Sequence, residues 1–208
     1  MAGRLIVMSG PSGAGKTSLG RALVEQVERI RFSVSHTTRQ PRQGERHGVE
    51  YFFVSEPEFR EMVARDRFLE HARVHGHYYG TSREWVRDCL DSGKDVLLDI
   101  DVQGARQIMD QVRDALTILI LPPSRRELER RLTHRGQDRL AVIRRRMERA
   151  AEEVGAYNQY RYAIINDSLE DALLELKSVV GSHESDSGAP VRNTRRIQEV
   201  VGTFQEAQ

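Results

Sequence analysis

One cysteine in 208 residues has nothing to pair with. An internal disulfide is excluded, and Cys89 reads as a small apolar helix residue rather than a redox centre. Apolar runs are short as well. The longest, Ala115 to Leu121, is a strand's length, far below the roughly 18–20 residues that cross a bilayer. Charge of one sign is not in excess. The 32 Lys and Arg stand against 31 Asp and Glu, a net of +1, which argues against a globally basic nucleic-acid binder and against an acidic tail protein. Met1 to Leu5 enters a strand-like segment without the apolar stretch and small-residue site of a signal peptide. The expected location is therefore the cytoplasm, with neither membrane nor nucleic acid as partner. No internal repeat is visible, and the length suits one α/β domain carrying a small insertion.

The apolar pattern alternates between two periods. Arg4 to Ser9, Asp95 to Ile100, Thr117 to Leu121 and Ala163 to Ile165 are aliphatic runs without alternation, as in strands covered on both faces. Between and after them, residues recur three or four apart. Leu19, Leu23, Val27 and Ile30 form one such stripe, and Ala105, Ile108, Met109 and Val112 a second. Leu128 and Leu132, then Leu140, Ile143, Met147 and Val154, form two more. Pro122-Pro123 stops the third strand. Ser168 and Asp171 resemble a capping box opening a helix with Leu169, Leu173, Leu176 and Val180. Strands alternating with helices predict a three-layer α/β core built on a parallel sheet.

Residues 33–93 break that rhythm. An aromatic strand over Tyr51–Val54, a helix start at Ser55 and Glu58, and strands over Phe68–Val74 and Tyr78–Ser82 read as an inserted lobe of short antiparallel strands and one or two helices. After Gly181 the chain turns polar. Thr194 to Phe204 has a helical stripe of Ile197, Val200, Val201 and Phe204; the 182–208 tail is open to packing on the core, joining a neighbour or staying disordered, with disorder the favoured expectation.

Gly10-Pro11-Ser12-Gly13-Ala14-Gly15-Lys16-Thr17 fits G-x-x-x-x-G-K-[ST], after a strand and before a helix. Glycines let backbone N–H groups turn inward around phosphate, and the helix N-terminus adds a favourable dipole. Lys16 reaches the outer phosphates, and the Thr17 hydroxyl suits Mg²⁺, a hard ion that prefers oxygen. A phosphate loop gives nucleotide binding rather than a reaction. The length favours a kinase of a small acceptor, held by the lobe. There, Arg39 and Arg42 can fork onto one phosphate, with Tyr51 and Tyr79 as phenolic donors. Glu70, in an apolar setting, and Thr81 suit guanine, whose ring N–H and amine donate to a carboxylate and whose carbonyl accepts from a hydroxyl.

On these residues the sequence resembles the guanylate kinases, the GMP-phosphorylating nucleoside monophosphate kinases. The matching blocks are Gly10 to Thr17, the Ser33–Glu45 run containing Thr37-Thr38-Arg39 and Pro41-Arg42, Gly48 to Val54, Tyr78-Tyr79-Gly80-Thr81, Asp99-Ile100-Asp101-Val102-Gln103-Gly104, Pro122-Pro123-Ser124 and Arg135-Gly136. The resemblance spans about residues 4–180. It implies a domain over 1–182, with a P-loop core of 1–32 and 94–182, a GMP-binding lobe of 33–93 and a helical lid at about 133–141. It implies phosphate contacts from Arg39, Arg42, Tyr51 and Tyr79, and guanine contacts from Ser35, Glu70 and Thr81 beside Gly80, with Asp101 close to the acceptor nucleoside. Asn166 falls near the donor adenine. Asp99 takes a Walker-B-like place near Mg²⁺, through water. Among the ten arginines from Arg125 to Arg149, Arg131, Arg135 and Arg146 match phosphate-gripping positions.

The expected reaction is Mg²⁺-dependent transfer of the ATP γ-phosphoryl group to GMP or dGMP. It needs no base, because the attacking phosphate oxygen is already ionised. Alignment, charge neutralisation and exclusion of water carry it. Two alternatives remain at this point. One is a kinase of another monophosphate, and the other is a guanylate-kinase-like module that binds phosphopeptides. Oligomeric state is open.

Overall fold

Leu5–Ser9 forms strand β1, every residue of it buried. The computed structural model describes residues 2–74, 76–134, 140–182 and 194–205. Two compact units share β1: one comprises Met1–Val7 and Val27–Ala115, the other Met8–Gln26 and Leu116–Gln208.

In the first unit, β2 (Ile30–Phe32) pairs parallel with β7 (Asp95–Asp99) in the register Ile30↔Asp95. Asp95 is fully buried. Its carboxylate accepts from the Arg4 backbone at 2.8 Å, from the Arg4 guanidinium at 2.9 Å and from Arg29 at 3.2 Å, so one anion ties together the flanks of three strands. A second, four-stranded sheet has the order β4-β3-β6-β5, with β3 His36–Thr37, β4 Phe52–Phe53, β5 Phe68–Val74 and β6 His77–Ser82. The expectation of antiparallel pairing holds for β3 with β6 and β5 with β6, but β3 and β4 run parallel. The aromatic strand is also shorter than predicted, because Tyr51 makes only an isolated bridge to His47. Ser55 and Glu58 do form a capping box opening α2 (Glu56–Ala64). Phe59 of α2 stacks on Phe68 at 4.5 Å and on Tyr78 at 5.4 Å. α3 (Arg83–Asp91) and α4 (Val102–Gln111) complete this unit, α4 capped by Asp101.

In the second unit, β8 (Leu116–Leu121) pairs parallel with β9 (Tyr162–Ile165). The core sheet reads β2-β7-β1-β8-β9, the α/β parallel architecture the sequence predicts. Helices α1 (Lys16–Gln26), α5 (Arg125–His134), α6 (Leu140–Gly155) and α7 (Leu169–Ser182) belong here. The expected α1 stripe runs too far. Ile30 belongs to β2, where parallel pairing with β7 buries it completely. The tail also departs from expectation. Residues 194–205 form α8 (Thr194–Gln205), and Ile197, Val200, Val201 and Phe204 are buried. The Thr203 hydroxyl accepts from the Arg125 backbone at 3.1 Å, which holds α8 at the start of α5. Residues 135–139 and 183–193, with most of the expected lid and the polar linker, lie outside the described residues.

Candidate active site

The phosphate loop sits between β1 and α1, as its motif requires. Gly10, Gly13 and Gly15 have φ of 137°, 96° and 94°, a region unfavourable to other residues. At Gly15 space is also decisive, since a Cβ there would collide with the side-chain amide of Asn166. Pro11 and Ala14 are buried, Ser12 and Lys16 half-buried, and Thr17 exposed in the first turn of α1. The Lys16 ammonium arches back over the loop and donates to the Gly10 carbonyl at 2.7 Å and to Pro11 at 3.2 Å.

Asn166, just past β9, knits this region together. Its side-chain amide donates to the Ala14 carbonyl at 2.7 Å, and its backbone N–H to Leu121 at 2.8 Å. Its own carbonyl accepts from Arg131 at 3.0 Å. Glu127 holds Arg131 from the other side at 2.9 Å and also binds Arg130 at 2.7 Å. Hydrogen bonds from Arg130 and Arg131 bring the Glu127 carboxyl down to about 2. Arg146 lies half-buried on α6. Arg135 falls outside the described residues.

The first unit carries two clusters. In one, the Arg39 guanidinium lies 5.4 Å above the ring of Tyr51, whose ring meets Tyr79 edge-on at 5.9 Å. Burial, with the charge of Asp99 and then Tyr79 adding to it, pushes the Tyr51 phenol up to about 12, so it stays a hydrogen-bond donor at neutral pH. Asp99 itself ends β7. Glu45 accepts from Arg39 at 2.9 Å and from the Arg42 backbone at 2.7 Å. Burial raises the Glu45 carboxyl, but the hydrogen bonds from Arg39 and Arg42 outweigh it and hold the group below the usual range. The Arg42 side chain is exposed. Ser35 is half-buried, and its carbonyl accepts from Phe52 at 2.9 Å.

The second cluster is a buried polar pair of the same unit. Glu70 is 3% exposed, and one of its oxygens accepts from the Thr81 hydroxyl at 2.6 Å. Its other oxygen lies so close to Gly104 that a Cβ there would strike it. Asp101 caps the same helical turn and accepts from the Gly104 N–H at 2.9 Å. Burial raises the Glu70 carboxyl to about 7; the Thr81 hydrogen bond opposes this and the charge of Asp101 adds to it. Gly80 is buried against the Phe68 ring.

The structure brings Gly10–Thr17, Arg131 and Asn166 together in one unit, and in the other it groups Arg39 with Tyr51 and Tyr79, and Glu70 with Thr81 near Asp101. The sequence alone assigns no role to the carboxylates that aim the arginines, Glu127 and Glu45. Glu127 was legible from its i,i+3 and i,i+4 spacing to Arg130 and Arg131. Glu45 stands in the sequence as the last residue of the Ser33–Glu45 block, with nothing in that block to show that it faces Arg39.

The family model described as guanylate kinase matches residues 2–183. A guanylate kinase of Haemophilus ducreyi is 49% identical over 204 residues, covering 97% of this chain and 99% of the relative. One of Escherichia coli K12 is 53% identical over 180 residues, covering 86% and 87%. The crystal structure of guanylate kinase from Anaplasma phagocytophilum is similar with a TM-score of 0.75 at 32% identity, covering 89% of this chain and 88% of that one.

Proposed function

The chain belongs to the guanylate kinase family, and from that premise we propose how its residues share the transfer of a phosphoryl group from ATP to GMP. The observation that carries the acceptor side is the buried Glu70–Thr81 pair. A carboxylate kept out of water seeks donors, and guanine offers two on one edge, the ring N–H and the exocyclic amine. The Thr81 hydroxyl is a rotor that can turn from Glu70 to the base carbonyl. Adenine would set a lone pair against the carboxylate, and that mismatch in a dry pocket is the basis of selection. Asp101 and Ser35 complete the nucleoside side, and dGMP is a second acceptor.

Arg39 and Arg42 take the GMP phosphate, with the Tyr51 and Tyr79 phenols as neutral donors. Glu45 keeps the Arg39 fork aimed before substrate arrives. On the donor side, the loop's N–H groups and Lys16 hold the ATP phosphates. To do so the Lys16 ammonium exchanges its two carbonyl partners for phosphate oxygens. Arg131, braced by Glu127 and Asn166, and Arg146 and Arg135 meet the charge that spreads over the transferred group. Asn166 lies beside the adenine.

The Thr17 hydroxyl and the Asp99 carboxylate each offer oxygen, the donor type that suits Mg²⁺ and not a soft metal, and these two residues would hold the ion. When bound, Mg²⁺ neutralises phosphate charge. The attacking GMP oxygen is ionised near neutral pH, so no side chain need remove a proton. The chain's residues bind, orient and exclude water. We place the reaction in the cytoplasm, and among the described residues no helix is long and apolar enough to cross a membrane.

A coupled ADP-release assay with GMP, dGMP, AMP and UMP, with and without Mg²⁺, tests this reading. Turnover should be confined to GMP and dGMP and should require the metal. Comparable turnover with AMP would refute the role given to Glu70 and Thr81.

A further inference from the structure

β5 is an edge strand of the four-stranded sheet, so among the described residues one side of its backbone has no strand partner. Helix α4 supplies that partner with side chains. The Gln107 amide oxygen accepts from the His71 N–H at 3.2 Å, and its nitrogen donates to the His71 carbonyl at 2.8 Å. One side chain thereby exchanges both bonds with one backbone residue, as a neighbouring antiparallel strand would. Gln111, one turn on, reaches the Leu69 carbonyl at 3.4 Å. Leu69 and His71 are the two neighbours of Glu70. One turn before Gln107, Gly104 is the residue against which the Glu70 carboxylate lies. Positions 104, 107 and 111 share one helical face, and that face touches Glu70 by its side chain and by the backbone on either side of it.

The register of β5 is not fixed by its strand pairing alone, because the ladder with β6 is irregular between Phe68 and Glu70. A strand with a bulge beside a functional side chain needs a further constraint to keep that side chain aimed. Gln107 is the group placed to provide it. Leucine at this position would fill similar space with no amide, leaving the His71 N–H and carbonyl without protein partners.

We propose that Gln107 is a positioning residue for base selection: its two hydrogen bonds to the His71 backbone fix β5 so that the Glu70 carboxylate meets the guanine edge. This rests on the reading of Glu70 as the guanine acceptor. Gln107 bonds protein groups, the His71 backbone foremost. It acts through Glu70, and its removal should therefore alter which base is chosen more than how fast phosphate moves.

The test uses the full chain and compares GMP with IMP, which lacks the exocyclic amine and so reports one of the two contacts to Glu70. Gln107→Leu should raise the KM for GMP about tenfold, and the GMP-over-IMP preference in kcat/KM should fall by about the same factor. The KM for ATP should stay within about twofold and kcat at saturation near the parent value. Gln107→Glu keeps the acceptor for His71 N–H and removes the donor. It should fall between parent and Gln107→Leu, and it keeps the test readable should the leucine variant fail to fold.

Pairing Gln107→Leu with Glu70→Gln separates the two ideas. If Gln107 works through Glu70, its effect on GMP-over-IMP preference should nearly vanish in the Glu70→Gln background. Should Glu70→Gln by itself leave that preference intact, the reading of Glu70 fails. Should Glu70→Gln abolish the preference while the Gln107 variants merely lower thermal stability with selectivity unchanged, Gln107 is structural only and the proposal is overturned.

Discussion

Replacing Glu70 by glutamine should make the protein more stable and a worse enzyme at once. Glu70 is 3% exposed, and its carboxyl is raised from 4.5 to about 7, chiefly by burial. Between those two values the folded chain holds a proton that the unfolded chain has released. Stability attached to this group is full below about pH 4.5 and declines as pH rises through 7. The shift corresponds to about 3 kcal/mol lost at pH 8 and about 2 kcal/mol at pH 6. Glutamine matches the shape, can still accept from Thr81, and carries no charge to desolvate. Urea unfolding of Glu70→Gln and parent at pH 8, 6 and 4.5 should give a gain of up to about 3 kcal/mol at the first, less at the second and almost none at the last. Meanwhile guanine would face an amide with one acceptor in place of two, and the KM for GMP should rise about 10²–10³-fold. In the parent, affinity for GMP should weaken below pH 7 by up to about tenfold per pH unit, because the base binds the ionised carboxylate. A variant less stable than the parent at pH 8, or a gain that does not fade toward pH 4.5, would refute the reasoning.

Three further outcomes are expected. Lys16→Met should lower kcat by about 10³-fold or more while leaving GMP affinity by calorimetry nearly unchanged, since the ammonium serves the donor phosphates. A parent-like kcat would contradict that role. Asp95→Ala removes the buried anion that the Arg4 backbone and guanidinium share and should destabilise by about 2–3 kcal/mol, read as a shifted urea midpoint; less than about 1 kcal/mol would mean the network is incidental. Phe204→Ala should also lose about 3–5 kcal/mol, because this ring is 2% exposed against the second unit's core. Near-parental stability would show that α8 is not part of the folding unit.

The α/β alternation was legible because β1, β7 and β8 are long enough to be unambiguous and because Gly10–Thr17 lies where strand passes to helix. Short elements were not. Ile30 continues the 3.6-residue stripe of Leu19, Leu23 and Val27, and a three-residue strand holds no period of its own to contradict it. Parallel pairing with β7 decided its place, and pairing is a long-range property. Tyr51 reads as a strand residue by composition, yet its ring serves the Arg39 cluster. The tail stripe was visible, but a stripe does not say what covers it, and only the packed α8 does. In the site, residue type and motif spacing single out Lys16, Arg39, Arg42, Glu70 and Thr81, and the family resemblance adds Ser35, Asp101, Arg131 and Asn166. The roles of Asp95 and Gln107 are not legible, because each acts on a protein group far away in the chain, and one sequence does not disclose who faces whom.

The glutamine contacts on β5 have an effect unrelated to nucleotides. A bare rim of backbone donors and acceptors is a template onto which a foreign chain can add itself and begin a fibril. Gln107 and Gln111 occupy part of that rim from within the same molecule, so at high concentration the chain is guarded against self-association at the place where its ladder is least regular.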